Sequence, residues 1–395
     1  MADAPPLSDL RIVELANVVA GPSVGKHLSD FGAEVIKIER PGGGDTARAM
    51  GELVGSRSAW WLSIGRNKRS VTLDLKHPKG REVLLRLVET ADALVESFRP
   101  GVLERLDLAP DTLRTANPSL VVVRVSAFGQ TGPYSRRPGF GTLAEAFSGL
   151  TEISGYPGQP PLLAPFALAD EVAALFATWS LLVALYDRDV RGGSGQTIDV
   201  SLYEAVFNVL GPLPTLYRAN GTLQARNGSR LPFSSPRNVY RTRDGHWFAV
   251  SGTTPSAAER VLRTVGLSGD ERFATPDART QNADALDALV AEWIGARGVE
   301  EVDRCFQDAG AAGIRVLSIA DVFADPHYRE RGTLTEVEDE ELGTVTLPAP
   351  VPRMSGTPGR IAHAGGPLGR DTDDVLAELG YTTDEIAAGR DEGAW

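Results

Sequence analysis

Cysteine is nearly absent from this chain. Of 395 residues only Cys305 carries a thiol, which rules out an intramolecular disulfide and every multi-cysteine metal pattern. Histidine is scarce as well. His27, His77, His246, His327 and His363 stand far apart, with no H-E-x-x-H and no ligand spacing, so each reads as a surface or structural residue and no metal is expected. There is no G-x-S-x-G elbow and no G-x-x-x-x-G-K-S/T loop, which sets aside a hydrolase triad and a nucleotide P-loop. Positive charge is in deficit: 40 Lys and Arg face 52 Asp and Glu, a net −12, which argues against a nucleic-acid-binding surface. The start, MADAPPLSDL, has neither a basic end nor an apolar core, so no secretory leader is expected. No apolar run approaches the length that crosses a bilayer. Together these absences predict a cytoplasmic protein without membrane or nucleic-acid partners.

What is present belongs to a globular chain, 42% hydrophobic and 23% charged, long enough for two domains with substantial cores. Local basic clusters survive the acidic balance: Arg66, Lys68 and Arg69, then Arg99 and Arg105, then Arg136 and Arg137. Such runs are usually solvated, and alone they favour no ligand.

Over the first two hundred residues short β-branched runs alternate with helical segments. LRIVEL (10–15), AEVIKIE (33–39), SVTLDL (70–75), ALVES (93–97) and LVVVRVS (120–126) read as strands, with helices over 22–30 and 78–90. Near-continuous apolar strands alternating with helices predict a parallel sheet covered on both faces, a doubly wound α/β domain. Beyond residue 220 a polar, turn-rich stretch gives way to VYRTRDGHWFAVSG, a hairpin with Asp244-Gly245 at its turn. Helical segments around 255–265, 282–296 and 298–311 complete a smaller α+β unit. LTEVEDEELGTVTLPAP then reads as an extended arm with one hairpin, and the last residues as helical.

A first strand, a glycine-containing turn, a helix and a second strand ending in Glu39 also suit a dinucleotide site. The turn, ANVVAGPSVG, offers Gly21 and Gly25 but lacks the G-x-G-x-x-G that lets a pyrophosphate approach the backbone. The fold is retained and NAD is not.

One carboxylate stands out. In PLLAPFALADEVAAL an apolar, proline-punctuated run is stopped by Asp170, and a long alanine-rich helix follows. Aspartate is a preferred N-cap. It is also a nucleophile when held against apolar surface.

Seven segments in order resemble the family III coenzyme A transferases, which include formyl-CoA:oxalate and carnitine CoA-transferases and the α-methylacyl-CoA racemases. They are LRIVELANVVAGPSVGKHLSDFGAEVIKIERPGGGDTAR, NKRSVTLDLKHPKG, VESFRPGVLERL, SAFGQTGPYSRRPGFG, GSGQTIDVSLYEAV, DPHYRERG and PLGRDTDDVLAELGY. The resemblance implies an interlocked homodimer. Each chain would have a large Rossmann-like CoA-binding domain over 1–200, completed by about 365–395. A linker (201–225), a small α+β domain (226–325) and a returning linker (326–364) would follow. CoA contacts carry over onto Val18, Val19 and Ala20, onto Arg40, onto Leu73 and Lys76, onto Ser97, Phe98, Arg99 and Arg105, and onto Phe140 and Gly141. Ser97 departs from the asparagine of typical members. Charge-assisted bonds from Arg and Lys suit the phosphates of CoA.

The resemblance also makes Asp170 the nucleophile, acting on an acyl-CoA and a free carboxylic acid through aspartyl anhydride and aspartyl-CoA intermediates. Helix capping and catalysis would then share one residue. Ala169 stands where many members have glycine. Racemases of the family place a histidine thirty residues before the aspartate; here that position is Phe140, followed by Gly141 where transferases often carry an acid. A phenylalanine carries no proton, so transfer is expected over racemisation. An acyl-CoA-binding paralogue without catalysis and a CoA-dependent lyase are the other readings. Arg136, Arg137 and Arg237 are candidate partners for the distal carboxylate of a dicarboxylic acid. SRLPFSSPRN occupies the region of the glycine-rich lid of the oxalate enzymes, which disfavours oxalate.

Overall fold

The structure, a computed structural model, describes residues 4–395; the first three residues of the N-terminal stretch discussed above lie outside it. Strands β1 (Arg11–Glu14), β2 (Glu34–Glu39), β3 (Lys68–Thr72), β4 (Ala93–Glu96), β5 (Val121–Ser126) and β6 (Thr197–Ser201) form one sheet in the order β3-β2-β1-β4-β5-β6. All five pairings are parallel. Helices α1 (Ala20–Ser29), α2 (Pro78–Glu89), α3 (Pro110–Ala116), α4 (Gly141–Ser148), α5 (Leu168–Arg191) and α6 (Leu202–Val209) run between and after them.

The alternation of side chains along each strand explains both faces. Ile12, Val35, Val95 and Val123 point into a core shared with Val24 and Leu28 of α1 and the alanines of α5. Val13, Ile36, Leu94 and Val122 point the other way, against Val83, Leu84 and Leu87 of α2 and Leu113 of α3. A strand buried on both faces needs apolar residues at every position, which is what LRIVEL and LVVVRVS supply. The order reverses between β1 and β4, the kind of switch point where open α/β sheets bind ligands.

Two elements start earlier than the sequence reading places them. The first helix begins at Ala20, so Pro22 falls within its first turn, where its missing N–H has no intrahelical partner to lose. Strand β3 covers Lys68–Thr72 rather than 70–75, because Leu73 donates to the Glu39 carbonyl at 2.8 Å and the chain then leaves the ladder.

Helix α5 organises one face of the sheet. Ala169, Ala173, Ala174, Ala177 and Ala184 repeat at helical spacing and are buried, and their small side chains bring the helix close to α1, α6, β5 and β6. By length and composition α5 is apolar enough to cross a membrane, which corrects the expectation that no run qualifies. Here its alanine face is buried in the core. Its opposite face carries Leu175, Trp179, Val183, Tyr186 and Val190, all exposed.

The described chain forms two compact units, one of residues 4–150, 163–211 and 330–395, the other of residues 151–162 and 212–329. The stretch 201–225 is largely helical, containing α6 and a further helix Leu213–Asn220. In the second unit, strands β7 (Arg237–Arg241), β8 (Trp247–Ser251) and β9 (Gly313–Arg315) form an antiparallel sheet in the order β9-β8-β7. Gly245, with φ 88°, makes the β7–β8 turn. Helices α7 (Pro255–Thr264), α8 (Ala283–Gly295) and α9 (Val299–Asp308) bury Tyr240, Phe248 and Val250 from one side.

The chain then rejoins the first unit. LTEVEDEELGTVTLPAP is a hairpin, β10 (Leu334–Asp339) with β11 (Gly343–Pro348), and helices α10 (Thr372–Glu378) and α11 (Thr383–Asp391) follow. This return finishes the exposed edge of β3. Asp371 Oδ2 accepts the Ser70 N–H at 2.7 Å, and Thr372 Oγ1 accepts the Thr72 N–H at 3.0 Å. An edge strand covered in this way offers no free ladder to another chain.

Candidate active site

Asp170 sits in the first turn of α5, and it is not the cap. The N-cap is Ala167, whose carbonyl accepts the Glu171 N–H at 3.0 Å, so the helix starts before the aspartate and frees its side chain from capping. The expectation that one residue does both jobs is corrected. The carboxylate points at the start of α4: a β-carbon built on Gly141 would stand 2.1 Å from Asp170 Oδ2 and 3.7 Å from the Ala169 β-carbon. Phe140, the N-cap of α4, is 64% exposed and makes no side-chain cap bond. Two helix N-termini thus meet near one carboxylate, and their unpaired N–H groups favour negative charge there.

Burial works against that charge. It pushes the Asp170 carboxyl up to about 6, with the neighbouring Glu171 and then Glu145 adding to the rise. Glu171 itself stays ionised. Burial would raise it, but the facing His27, Lys26 and Ser23 hold it down to about 2. Its carboxylate accepts from Ser23 Oγ at 2.8 Å and lies 3.3 Å from Lys26 Nζ and 3.7 Å from His27 Nε2. These three residues lie on α1, so the start of α5 is fastened to α1. Glu171 and His27 are neighbours in space that sequence reading missed, because nothing in their spacing pairs residues so far apart.

Asn17, just ahead of α1, lines a cavity of about 500 Å³ at the C-terminal ends of β1–β4. Its lining brings together Arg40, Leu73, Lys76, Phe98 and Arg105 from the expected CoA set. Leu15, Asn17 and Leu106 add apolar and amide surface. Arg40, Lys76 and Arg105 are exposed. The expected contacts Val18, Val19 and Ala20 form the turn into α1, and Ser97 Oγ accepts the Asn17 N–H at 2.9 Å beside it. Arg99 is exposed and lies outside the cavity lining.

The cations of this chain divide into two groups. Arg66 is bound to Asp30 at 2.5 Å and Lys68 to Glu14 at 2.8 Å; Arg48 holds Glu39 at 2.6 Å. Among the described residues no carboxylate pairs with Arg40, Lys76, Arg99 or Arg105. Of these, Arg40, Lys76 and Arg105 line the open cavity, and uncommitted cations there suit an anion with several charges. The cluster at 66–69 is therefore structural, with Arg69 paired to Glu34 and Glu378. Glu39 is equally committed: it accepts from Arg48, Ser70 Oγ and the Asp45 N–H, leaving nothing for a ribose.

The profile of CoA-transferase family III matches residues 7–372. The chain belongs to CoA-transferase family III. Its reaction class is the transfer of CoA between an acyl-CoA thioester and a carboxylic acid, and CoA enters as part of the substrate. A succinyl-CoA–D-citramalate CoA-transferase of Chloroflexus aurantiacus is 38% identical over 387 residues, 97% of this chain and 96% of that protein. The alpha subunit of a succinyl-CoA–L-malate CoA-transferase of Chloroflexus aurantiacus is 40% identical over 381 residues, 95% of this chain and 89% of that one. In three dimensions a CaiB/BaiF family protein from Brucella suis matches with a TM-score of 0.84 and 31% identity, over 95% of this chain and 100% of that chain. The mixed α/β architecture is thus the family's own.

Proposed function

We propose that this CoA-transferase acts on the CoA thioester of a short dicarboxylic acid and passes CoA to a second carboxylic acid, with Asp170 as nucleophile. The observation that carries the reading is Asp170 itself: a largely buried carboxylate with no cation paired to it among the described residues, between two helix starts, in the unit that also holds the cation-lined cavity. The dicarboxylic class is supported by the relatives, whose names pair succinyl-CoA with citramalate and with malate.

The steps balance without an added base. An Asp170 oxygen attacks the thioester carbonyl; the C–S bond breaks, giving an aspartyl anhydride and CoA thiolate. The thiolate attacks the aspartyl carbonyl, releasing the first acid as its carboxylate and leaving aspartyl-CoA. The acceptor carboxylate attacks that thioester and expels thiolate again. The thiolate finally takes the new acyl group and frees Asp170. The carboxylates attack as anions near neutral pH, and the thiol attacks as the thiolate that C–S cleavage has just released. Water exclusion and fixed N–H donors at the two helix starts are what the protein adds.

In this reading Arg40, Lys76, Arg99 and Arg105 hold the phosphates of CoA, Leu73 and Phe98 its apolar parts, and the Val18–Ala20 turn and Ser97 its polar arm. Phe140 and Gly141 shape the acyl side. The exposed apolar face of α5 is covered in an interlocked homodimer, and a cytoplasmic location goes with the proposal. The first unit supplies the CoA domain. The test is a matrix of CoA esters against carboxylic acids read by mass spectrometry, with intact protein quenched during turnover. Transfer among C4 and C5 dicarboxylates with mass added at Asp170 is expected. Transfer without any Asp170 adduct would overturn the nucleophile.

A further inference from the structure

The turn that leads into α1 is held in a conformation its own side chain disfavours. Val18 has φ 71°, in the left-handed region where a β-branched residue is an outlier. Such a conformation persists only where its surroundings over-determine it. The Val18 N–H donates to Asp45 Oδ1 at 2.9 Å. The other Asp45 oxygen lies 2.7 Å from Lys37 Nζ, which sits 3.0 Å from Glu14 Oε1 and also donates to the Ala16 carbonyl. Glu14 Oε2 accepts from Lys68 Nζ at 2.8 Å, and Lys68 donates to the Pro22 carbonyl at 2.6 Å.

Asp45, Lys37, Glu14 and Lys68 thus form a buried chain of alternating charge that touches the backbone at residues 16, 18 and 22. Asp45 is 1% exposed, Lys68 2%, and Lys37 and Glu14 0%. Even α1 is shaped around it: a β-carbon on Gly25 would stand 2.0 Å from Glu14 Oε2. Buried ion pairs are poor stabilisers against apolar replacements of the same shape. Asp45 also caps the turn at Thr46–Ala49 by accepting the Ala47 N–H at 2.9 Å, but a cap needs no lysine beneath it. What the chain provides beyond a cap is an acceptor fixed at the Val18 N–H.

We propose that Asp45, oriented by Lys37, is a positioning residue that holds the Val18–Ala20 turn in its strained form so that the backbone is ready to meet CoA. This rests on the reading of that turn as a CoA contact. The test uses full-length Asp45→Ala, with calorimetric titration by free CoA and steady-state kinetics with succinyl-CoA. The Kd for CoA and the KM for the thioester rise ~10-fold or more while kcat stays within ~3-fold, because the turn binds CoA alike in ground and transition states. Adding Val18→Gly, which enters positive φ freely, returns the Kd to within ~3-fold of the native protein. A merely structural role for Asp45 gives no such rescue. A native Kd in Asp45→Ala, or a double variant as weak as the single one, overturns the proposal.

Should Asp45→Ala fail to fold, Asp45→Asn keeps an oxygen for the Val18 N–H. A Kd within ~3-fold of native then supports the proposal, and a ~10-fold loss that Val18→Gly does not recover overturns it. If the native protein does not bind CoA at all, the reading of the site falls together with this proposal. If it binds CoA and Asp45→Ala binds it as tightly as the native protein, only the proposal falls.

Discussion

Gly141 and Asp170 approach so closely that residue 141 has no room for a side chain: its β-carbon would lie 2.1 Å from the carboxylate Oδ2. The first residue of α4 is fixed by the first turn of α5. Gly141→Ala must therefore move the carboxylate or the helix. The expected outcome is a fall in kcat of ~10- to 100-fold, since small displacements of a reacting group are expensive in rate, with the Kd for CoA preserved. Stopped-flow turnover beside CoA titration measures both.

Asp170→Asn should be inactive and more stable. Burial lifts the folded-state carboxyl to about 6, above its ordinary value of 3.8, so ionising it disfavours the fold. The penalty is complete above about pH 6, shrinks as pH falls through the window between those values, and is gone below it. At neutral pH the amide variant gains on the order of 1–3 kcal/mol. Chemical denaturation of both proteins at several pH values reads the difference; an amide variant less stable at every pH would refute the burial argument.

On the proposed mechanism the same carboxyl sets the acid side of activity. Turnover should fall below about pH 6, as Asp170 takes up its proton. Glu171 is one of the charges that raises Asp170, so Glu171→Gln lowers the Asp170 value and moves the acid limb of the kcat profile to lower pH. Glu145 from α4 remains and keeps part of the rise, while Lys26 and His27 of α1 lose the carboxylate they face. An unmoved limb would mean that Glu171 acts only as a tether.

Lys76→Ala and Arg105→Ala should each raise the KM for acyl-CoA by ~5- to 30-fold with little change in kcat. The native KM should rise with added salt, and less steeply in the variants, because the lost contact is one that salt screens. Kinetics at two ionic strengths tests this.

The two faces of α5 should respond oppositely to substitution. Ala173→Leu overpacks the fully buried alanine face and destabilises the protein by ~1–3 kcal/mol, seen as a lower Tm. Trp179 is 63% exposed on the other face. Trp179→Glu should leave that core intact and disrupt self-association, which light scattering would detect.

Much of this was legible in the sequence because it depends on local pattern. Apolar strands with helical interludes specify a parallel sheet wherever they occur, and β1, β2, β4 and β5 lie close to their expected places. The cavity residues Arg40, Leu73, Lys76, Phe98 and Arg105 sit in motifs whose order was readable. Charge placement was less accessible. Arg66, Lys68 and Arg69 read as a solvated run in a row of letters, yet Asp30, Glu14, Glu34 and Glu378 claim them from distant segments. The start of α5 was misplaced because an aspartate after an apolar run carries the signature of a cap, and the decisive Ala167 carbonyl has no side-chain signal. The Val18 strain was invisible for a related reason: valine is not a residue that announces a left-handed turn.

The pairing of β3 with Asp371 and Thr372 has a consequence for how the molecule is made. Roughly three hundred residues separate the two sides of that contact, and the ribosome finishes an entire intervening body before it releases the second side. Until then the nascent sheet waits with one flank open, exposed to strand-seeking neighbours. Closure must wait for residues 371 and 372, and a protein assembled in that order should owe its slow step to this late pairing rather than to the sheet it seals.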